Sequence, residues 1–225
     1  MATSGTATFN LDLVELVEEA FERAGGEVRS GYDLRTARRS LNLLLADWAN
    51  RGLNLWTFEE GSVPLVAGTA TYALPADTVD IIEHVLRTGS GASQSDMTMT
   101  RTSVSTYAAI PNKLATGRPL QLLVTRTATP TVTVWPVPDG GGPYTLRYWR
   151  LRRLQDAGMG VQTQDVPFRF LPALVAGLSY HVALKVPGGI DRLPVLEAQY
   201  REAFQTAMDE DRERASVRLV PRFAA

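Results

Sequence analysis

The sequence predicts an α+β protein: a four-helix bundle built from N- and C-terminal helix pairs, with an inserted antiparallel β domain. Three observations carry that prediction. Apolar residues recur at helical spacing over the first fifty positions. From about Leu55 to Leu151 the chain turns to short runs rich in Val, Thr, Tyr and Trp, separated by turn residues. Helical patterning then returns beyond Asp165. Two helices, a β insertion and two more helices close most simply if both ends of the chain share one bundle. The expected boundaries are 1–54 and 161–214 for the two halves of the bundle, 55–160 for the β domain and 215–225 for an extended tail.

The first helix follows from Leu13, Val17, Ala20, Phe21 and Ala24 on one face, with Asp12, Glu15, Glu18, Glu19 and Glu22 opposite. Gly25-Gly26 ends it. Ser30 followed by Asp33 reads as a second helix start, because the hydroxyl caps while the acid meets the positive end of the dipole. Leu34, Ala37, Leu41, Leu44, Leu45 and Trp48 then form a broad apolar face, closed by Gly52.

In the middle, Val63–Val66 and Thr71–Leu74 flank Ala67-Gly68-Thr69, a hairpin signal. Val79–Leu86 reads as a strand, and the small polar residues of Thr88–Asp96 as a mobile loop. Leu120–Thr127, Thr131–Val137 and Tyr144–Leu151 are three more strands, the last two linked by a hairpin turn at Asp139-Gly140-Gly141-Gly142. Pro136 and Pro138 suit an edge or an early end to that hairpin. Phe168 to Val186 is apolar on nearly every side and reads as the most buried helix, with Pro167 and Pro172 near its start. After Gly188-Gly189, a last helix beginning near Asp191 carries the stripe Leu193, Leu196, Tyr200, Ala203 and Ala207.

Composition narrows the function classes. The 225 residues hold 23 basic and 24 acidic side chains, a net charge of −1, which argues against a free-standing nucleic-acid coat. With no cysteine and two histidines, a disulfide framework, a thiolate zinc site, a cysteine nucleophile and a histidine-rich metal site are all excluded. The start lacks the order of a signal peptide, and Leu171 to Val186 is too short and too interrupted to span a bilayer, so no membrane anchor is expected. Of the 23 basic residues 21 are arginine, a bias that fits either a GC-rich genome or a surface for bidentate contacts.

Catalytic motifs are missing: there is no P-loop, no G-x-S-x-G elbow and no H-E-x-x-H. Glu59 and Glu60 point to opposite faces of a strand and cannot work as a pair. Asp77 and Asp80 read as capping, solvated acids at a turn, and His84 and His181 as structural histidines. Asp209, Glu210 and Asp211 lack calcium-loop spacing and read as a solvated face. The chain is therefore read as a non-enzyme with no cofactor and no metal.

Charge clustering says more. Arg101, Lys113, Arg118, Arg126, Arg147, Arg150, Arg152 and Arg153 face a single acid, Asp139, between residues 101 and 155, a local charge of +7. In the last strand Leu146 and Tyr148 share one face, Arg147 and Trp149 the other. That second face reads either as a partner surface or as solvated arginines beside a covered tryptophan. Beyond the last helix, Val217, Leu219, Val220 and Phe223 stand among Arg214, Arg218 and Arg222 with no obvious core of their own, as in a segment that frays or is ordered by another chain.

Leu41-Asn42-Leu43-Leu44-Leu45-Ala46-Asp47-Trp48-Ala49-Asn50-Arg51-Gly52, followed by Leu55-Trp56, resembles the second helix of podovirus-type phage head-to-tail adaptors. That family includes the tail tubular protein A and packaged-DNA stabilisation proteins. Gly68 with Tyr72-Ala73-Leu74-Pro75-Ala76-Asp77 resembles the strand and turn that open their β domain, and the likeness continues through Pro167–Lys185 and the last helix. The resemblance implies a virion structural protein at the head–tail junction. It would form a homo-oligomeric ring, usually dodecameric, beneath the portal protein, retaining packaged DNA that passes through the channel without sequence-specific binding. It would also receive the tail nozzle or tail-tube protein.

On that resemblance Arg214, Val217, Arg218, Leu219, Val220, Arg222 and Phe223 become portal-docking candidates. Arg147, Trp149, Arg150, Arg152 and Arg153 become candidates for a subunit or tail contact. The alternatives are a tail-associated cell-wall hydrolase, which would need converging carboxylates, or a tube or nozzle protein lower in the tail. A DNA-binding module would reveal itself by steep salt dependence.

Overall fold

The computed structural model describes residues 3–51 and 55–212. The architecture is α+β, with five helices and mostly antiparallel sheets among the described residues. Two compact units emerge, one formed by Met1–Trp56 with Leu154–Ala225, the other by Thr57–Arg153.

The first unit is helical. Helix α1 (Leu13–Ala24) starts in a capping box: Glu15 N donates to Asp12 Oδ1 at 2.9 Å, and Asp12 N donates to Glu15 Oε2 at 3.1 Å. Asp12 is thus the cap, not a member of the solvent stripe. Gly25 ends the helix in the left-handed region at φ +87°, where a glycine carries no steric penalty. Helix α2 (Gly31–Asn50) repeats the device with Ser30 and Asp33. Its C-cap is Arg51, while Gly52 lies outside the described residues.

Helix α4 (Leu171–Ala183) buries ten of its thirteen residues and packs against α1, α2 and α5 (Leu193–Glu210). Ser179 survives there because its hydroxyl donates to Val175 O at 2.7 Å, and a buried hydroxyl left unpaired would be costly. Gly177 permits the close approach: a Cβ would stand 2.9 Å from both Leu44 Cδ2 and the Tyr200 ring. The last helix starts at Leu193 rather than near Asp191, because Gly189–Arg192 forms a 3₁₀ turn first.

An aromatic cluster closes this core. Trp48 Nε1 donates to Tyr200 Oη at 2.9 Å in the buried interior, Trp56 and Phe170 meet at a centroid distance of 4.5 Å, and Phe204 completes the group. Each such ring adds large apolar burial, and the indole N–H finds the partner it needs.

The second unit carries β1 (Phe58–Leu65), β2 (Thr71–Ala73), β3 (Thr78–Thr88), β4 (Ser95–Thr98), β5 (Thr100–Arg101), α3 (Val104–Ala108), β6 (Thr116–Gly117), β7 (Gln121–Thr125), β8 (Thr131–Trp135), β9 (Val137–Pro138) and β10 (Tyr144–Arg152). One antiparallel sheet runs β1-β10-β3-β4, and a second runs β2-β8-β7-β5. Both the β5–β7 contact and the small β6–β9 pair are parallel, a departure from a purely antiparallel domain. Leu86, Leu146 and Tyr148 from the first sheet meet Leu122, Val132 and Val134 from the second in one core. Gly61 lies opposite Tyr148, whose ring passes where a Cβ would be, at 2.4 Å.

Three local features differ from the sequence expectation. Strands β1 and β2 do not form a hairpin. The Tyr72 hydroxyl accepts from Val66 N and donates toward Thr69 O, so it takes over bonds a ladder would have made, and the two strands enter different sheets. Thr88–Asp96 is the end of a β3–β4 hairpin: Thr88 pairs with Ser95 and Arg87 with Asp96 in the ladder, residues 89–94 form the turn with Gly89 at φ +73°, and a bidentate Arg87–Asp96 pair at 2.7 Å closes it. Asp139–Gly142 is not a hairpin turn either, because β8 and β10 do not pair. It carries the chain from one sheet to the other, with Gly141 N donating to Asp139 Oδ1 at 3.0 Å.

Candidate protein-contact surfaces

Strand β10 places the arginine-rich cluster. Leu146 and Tyr148 point into the core, so pleating sends Arg147 and Trp149 to the other face. Trp149 is 38% exposed and stands in register between Glu60 and Glu83. Arg147 forms an ion pair with Glu60, two positions along the neighbouring strand. The expected Arg/Trp face therefore exists, with Arg147 already neutralised.

Arg150 and Arg152 follow the opposite phase. Arg150 is buried: its Nη1 donates to Asp77 Oδ1 at 2.5 Å and to Thr78 Oγ1 at 2.9 Å, and its Nη2 donates to Glu59 Oε2 at 2.6 Å. Burial works against its charge, but the bonds to Asp77 and Glu59 outweigh that, and its pKa is raised. The hydrogen bond from Arg150 in turn holds the Asp77 carboxyl below the usual carboxylate range, against a smaller opposing effect of burial. Arg152 Nε lies 2.7 Å from Glu59 Oε1. Arg153 has an exposed side chain, and its backbone N–H donates to Asp77 O at 2.8 Å. The five residues thus divide: Arg147, Trp149 and Arg153 reach the surface to some degree, while Arg150 and Arg152 are engaged inside.

Acids from β1 and β3 dissolve the apparent +7 cluster. Asp80 meets Arg101 at 2.7 Å and Arg126 at 3.4 Å, so Asp77 and Asp80 serve as ion-pair partners rather than solvated turn acids. Across 57–153 the sequence holds nine basic and seven acidic side chains, a net +2.

His84 lies on the core face opposite Tyr148, and burial pushes its pKa down. His181 on α4 is shifted the same way by the same cause. Neither stands in a catalytic constellation of the described residues, which include no group of three or more His, Cys, Asp or Glu side chains placed to hold a metal ion. No helix among the described residues is long and apolar enough to cross a membrane.

Asp211 overturns another expectation. Its side chain is fully buried, pairs with Arg169 and accepts from Leu55 N at 3.1 Å, so it clamps the end of α5 to the entry of α4. No sequence spacing announces that pair, since the partners lie 42 residues apart. The portal-docking candidates Arg214, Val217, Arg218, Leu219, Val220, Arg222 and Phe223 lie outside the described residues.

A protein-family model described as SU10 adaptor protein matches residues 11–222, covering all five helices and the β unit. No curated protein matches the chain.

Proposed function

The chain belongs to the SU10 adaptor protein family, and on that premise we propose that it is a structural head-to-tail adaptor in a phage virion. It forms a ring, dodecameric by analogy with the adaptors it resembles, beneath the portal protein at the head–tail junction. The ring helps retain packaged DNA, which passes through the channel without sequence-specific contacts, and provides the platform for the tail nozzle or tail tube. The helices α1, α2, α4 and α5 act as a four-helix bundle from which the inserted β domain is deployed. The segment carrying Val217, Leu219, Val220 and Phe223 with its arginines docks on the portal. Trp149, with Arg147 and Arg153, meets a neighbouring subunit or the next tail protein.

The observation that carries this reading is the family match, which runs continuously through both the helical elements and the β insertion. The physical logic is that of multivalency. One weak contact per copy becomes strong when a partner ring repeats it, so the portal itself times assembly.

Native mass measurement of the chain alone and then with portal rings from its own phage tests the proposal. The expected result is a monomer or small oligomer alone, and one defined ring of copies on each portal. A chain that ignores the portal yet builds its own tubes belongs lower in the tail.

A further inference from the structure

A groove of about 600 Å³ runs along the outer face of α1 beside the start of α4. Its floor is apolar, with Phe168 and Val175 from the α4 side and Phe9 from the N-terminal segment. Phe168 and Phe9 are 71% and 67% exposed, an unusual state for aromatic rings that already line a concavity. Its rim is acidic. Glu15 is occupied in the α1 capping box and Glu19 pairs with Arg23 at 2.7 Å. Glu18 and Glu22, one helical turn apart, have no ion pair among the described residues.

The end of α5 is tied to the segment that enters α4, one residue from a side chain that lines this groove. Asp211 is anchored on Arg169, the chain neighbour of the groove residue Phe168, and the described residues end one position later at Arg212. The thirteen residues that follow match the groove in kind: Arg214, Arg218 and Arg222 recur every fourth position, with Val217, Leu219, Val220 and Phe223 between and beside them. Thirteen extended residues reach about 45 Å, and the twelve residues of α1 span only about 18 Å. Length is no obstacle.

We infer that this groove is the docking site for residues 213–225 of the same chain, with the arginines against Glu18 and Glu22 and the apolar side chains over Phe9, Phe168 and Val175. Anchoring at Asp211 favours the chain's own segment over a second copy's, since it raises the local concentration of the segment at the groove. The free protein thereby covers an adhesive apolar segment until another surface competes for it. The assignment concerns the free chain and holds whether or not the competing surface is a portal.

The absence of cysteine makes the test clean. In the full-length protein, Glu18→Cys with Arg218→Cys should close an intramolecular disulfide roughly tenfold faster than Arg35→Cys with Arg218→Cys. Glu18 and Arg35 are both exposed helix positions, on α1 and α2 respectively, so both variants keep the helical core. The advantage should shrink between about 0.05 M and about 0.5 M salt, as screening weakens the contacts of Arg214 and Arg222 with Glu22 that this variant retains. Equal rates for the two pairs would overturn the assignment. A disulfide found only between two chains would overturn it in favour of a second copy, and a rate advantage indifferent to salt would refute the charge-matched seating.

Discussion

The two units handle buried charge in mirror-image fashion. In the helical unit the carboxylate of Asp211 is fully buried while its guanidinium partner Arg169 keeps 38% of its side-chain exposure. In the β unit Arg150 is the buried member, and its carboxylates Asp77 and Glu59 stay 47% and 44% exposed. Each unit strips the water from one ion and leaves the counter-ion partly solvated, which avoids desolvating both charges at once. The difference lies in what else is present. The helical unit has a large apolar and aromatic core, so its clamp is an addition to packing. The β unit has a smaller core, and paired arginines tie β1 and the approach to β3 to β10 at Glu59, Glu60 and Asp77, and β3 to β5 at Asp80.

If packing dominates one unit and ion pairs the other, perturbations should separate them. Phe170→Ala should have the largest effect, destabilising the helical unit by about 3–5 kcal/mol through the cavity left beside Trp48 and Trp56. Urea unfolding followed by hydrogen exchange should show α4 and α5 opening early with the β strands little changed; parallel loss in both units would break the comparison.

Arg150→Ala comes next, at about 1–3 kcal/mol, discounted because Asp77 and Glu59 can resolvate once freed. Its effect should be confined to β1, β3 and β10, and Arg150→Lys should recover only part of it, since an ammonium cannot make the forked contacts.

Acid should produce the smallest effect. Asp77 has a folded pKa below its unfolded value, so its contribution is complete above about pH 4 and disappears as pH falls through the depressed folded value, a change of under about 1 kcal/mol at such an exposed site. Asp96, held down by Arg87, moves in the same direction. The lowered histidines, His84 in one unit and His181 in the other, reduce stability in both as pH falls below about 6.5. Unit-resolved exchange should therefore show the two units weakening together near pH 6 and parting near pH 3.5, with the β unit the weaker.

Legibility in the sequence follows the same division. Helices α1 and α2 were readable because amphipathic spacing and capping residues act within a few positions. The β segments were largely readable as strands, but their neighbours were not, because alternation assigns a side chain to a face and says nothing about which strand pairs with which. Tyr72 illustrates this, since its hydroxyl replaced ladder bonds and turned an apparent hairpin into a crossing between sheets. Alternation did hold a clue to the arginines: Arg150 and Arg152 share the phase of Leu146 and Tyr148, which points them away from the Arg147/Trp149 face. Their acids, on β1 and before β3, come together only through the fold. Asp211 was hidden because its run of charged neighbours resembles a solvated helix end, while its cation sits at the start of another helix.

We propose that the C-terminal segment docks on the portal, while Trp149 and its neighbours meet a neighbouring subunit or the next tail protein. Hydrogen exchange of the full-length chain, free and bound to portal rings, tests that division most directly. Docking predicts added protection in 213–225 on the portal, and protection gained by β10 around Trp149 at the same step would assign that surface to a neighbouring subunit rather than to the next tail protein. New protection confined to the β strands, with 213–225 exchanging as in the free chain, would contradict that docking.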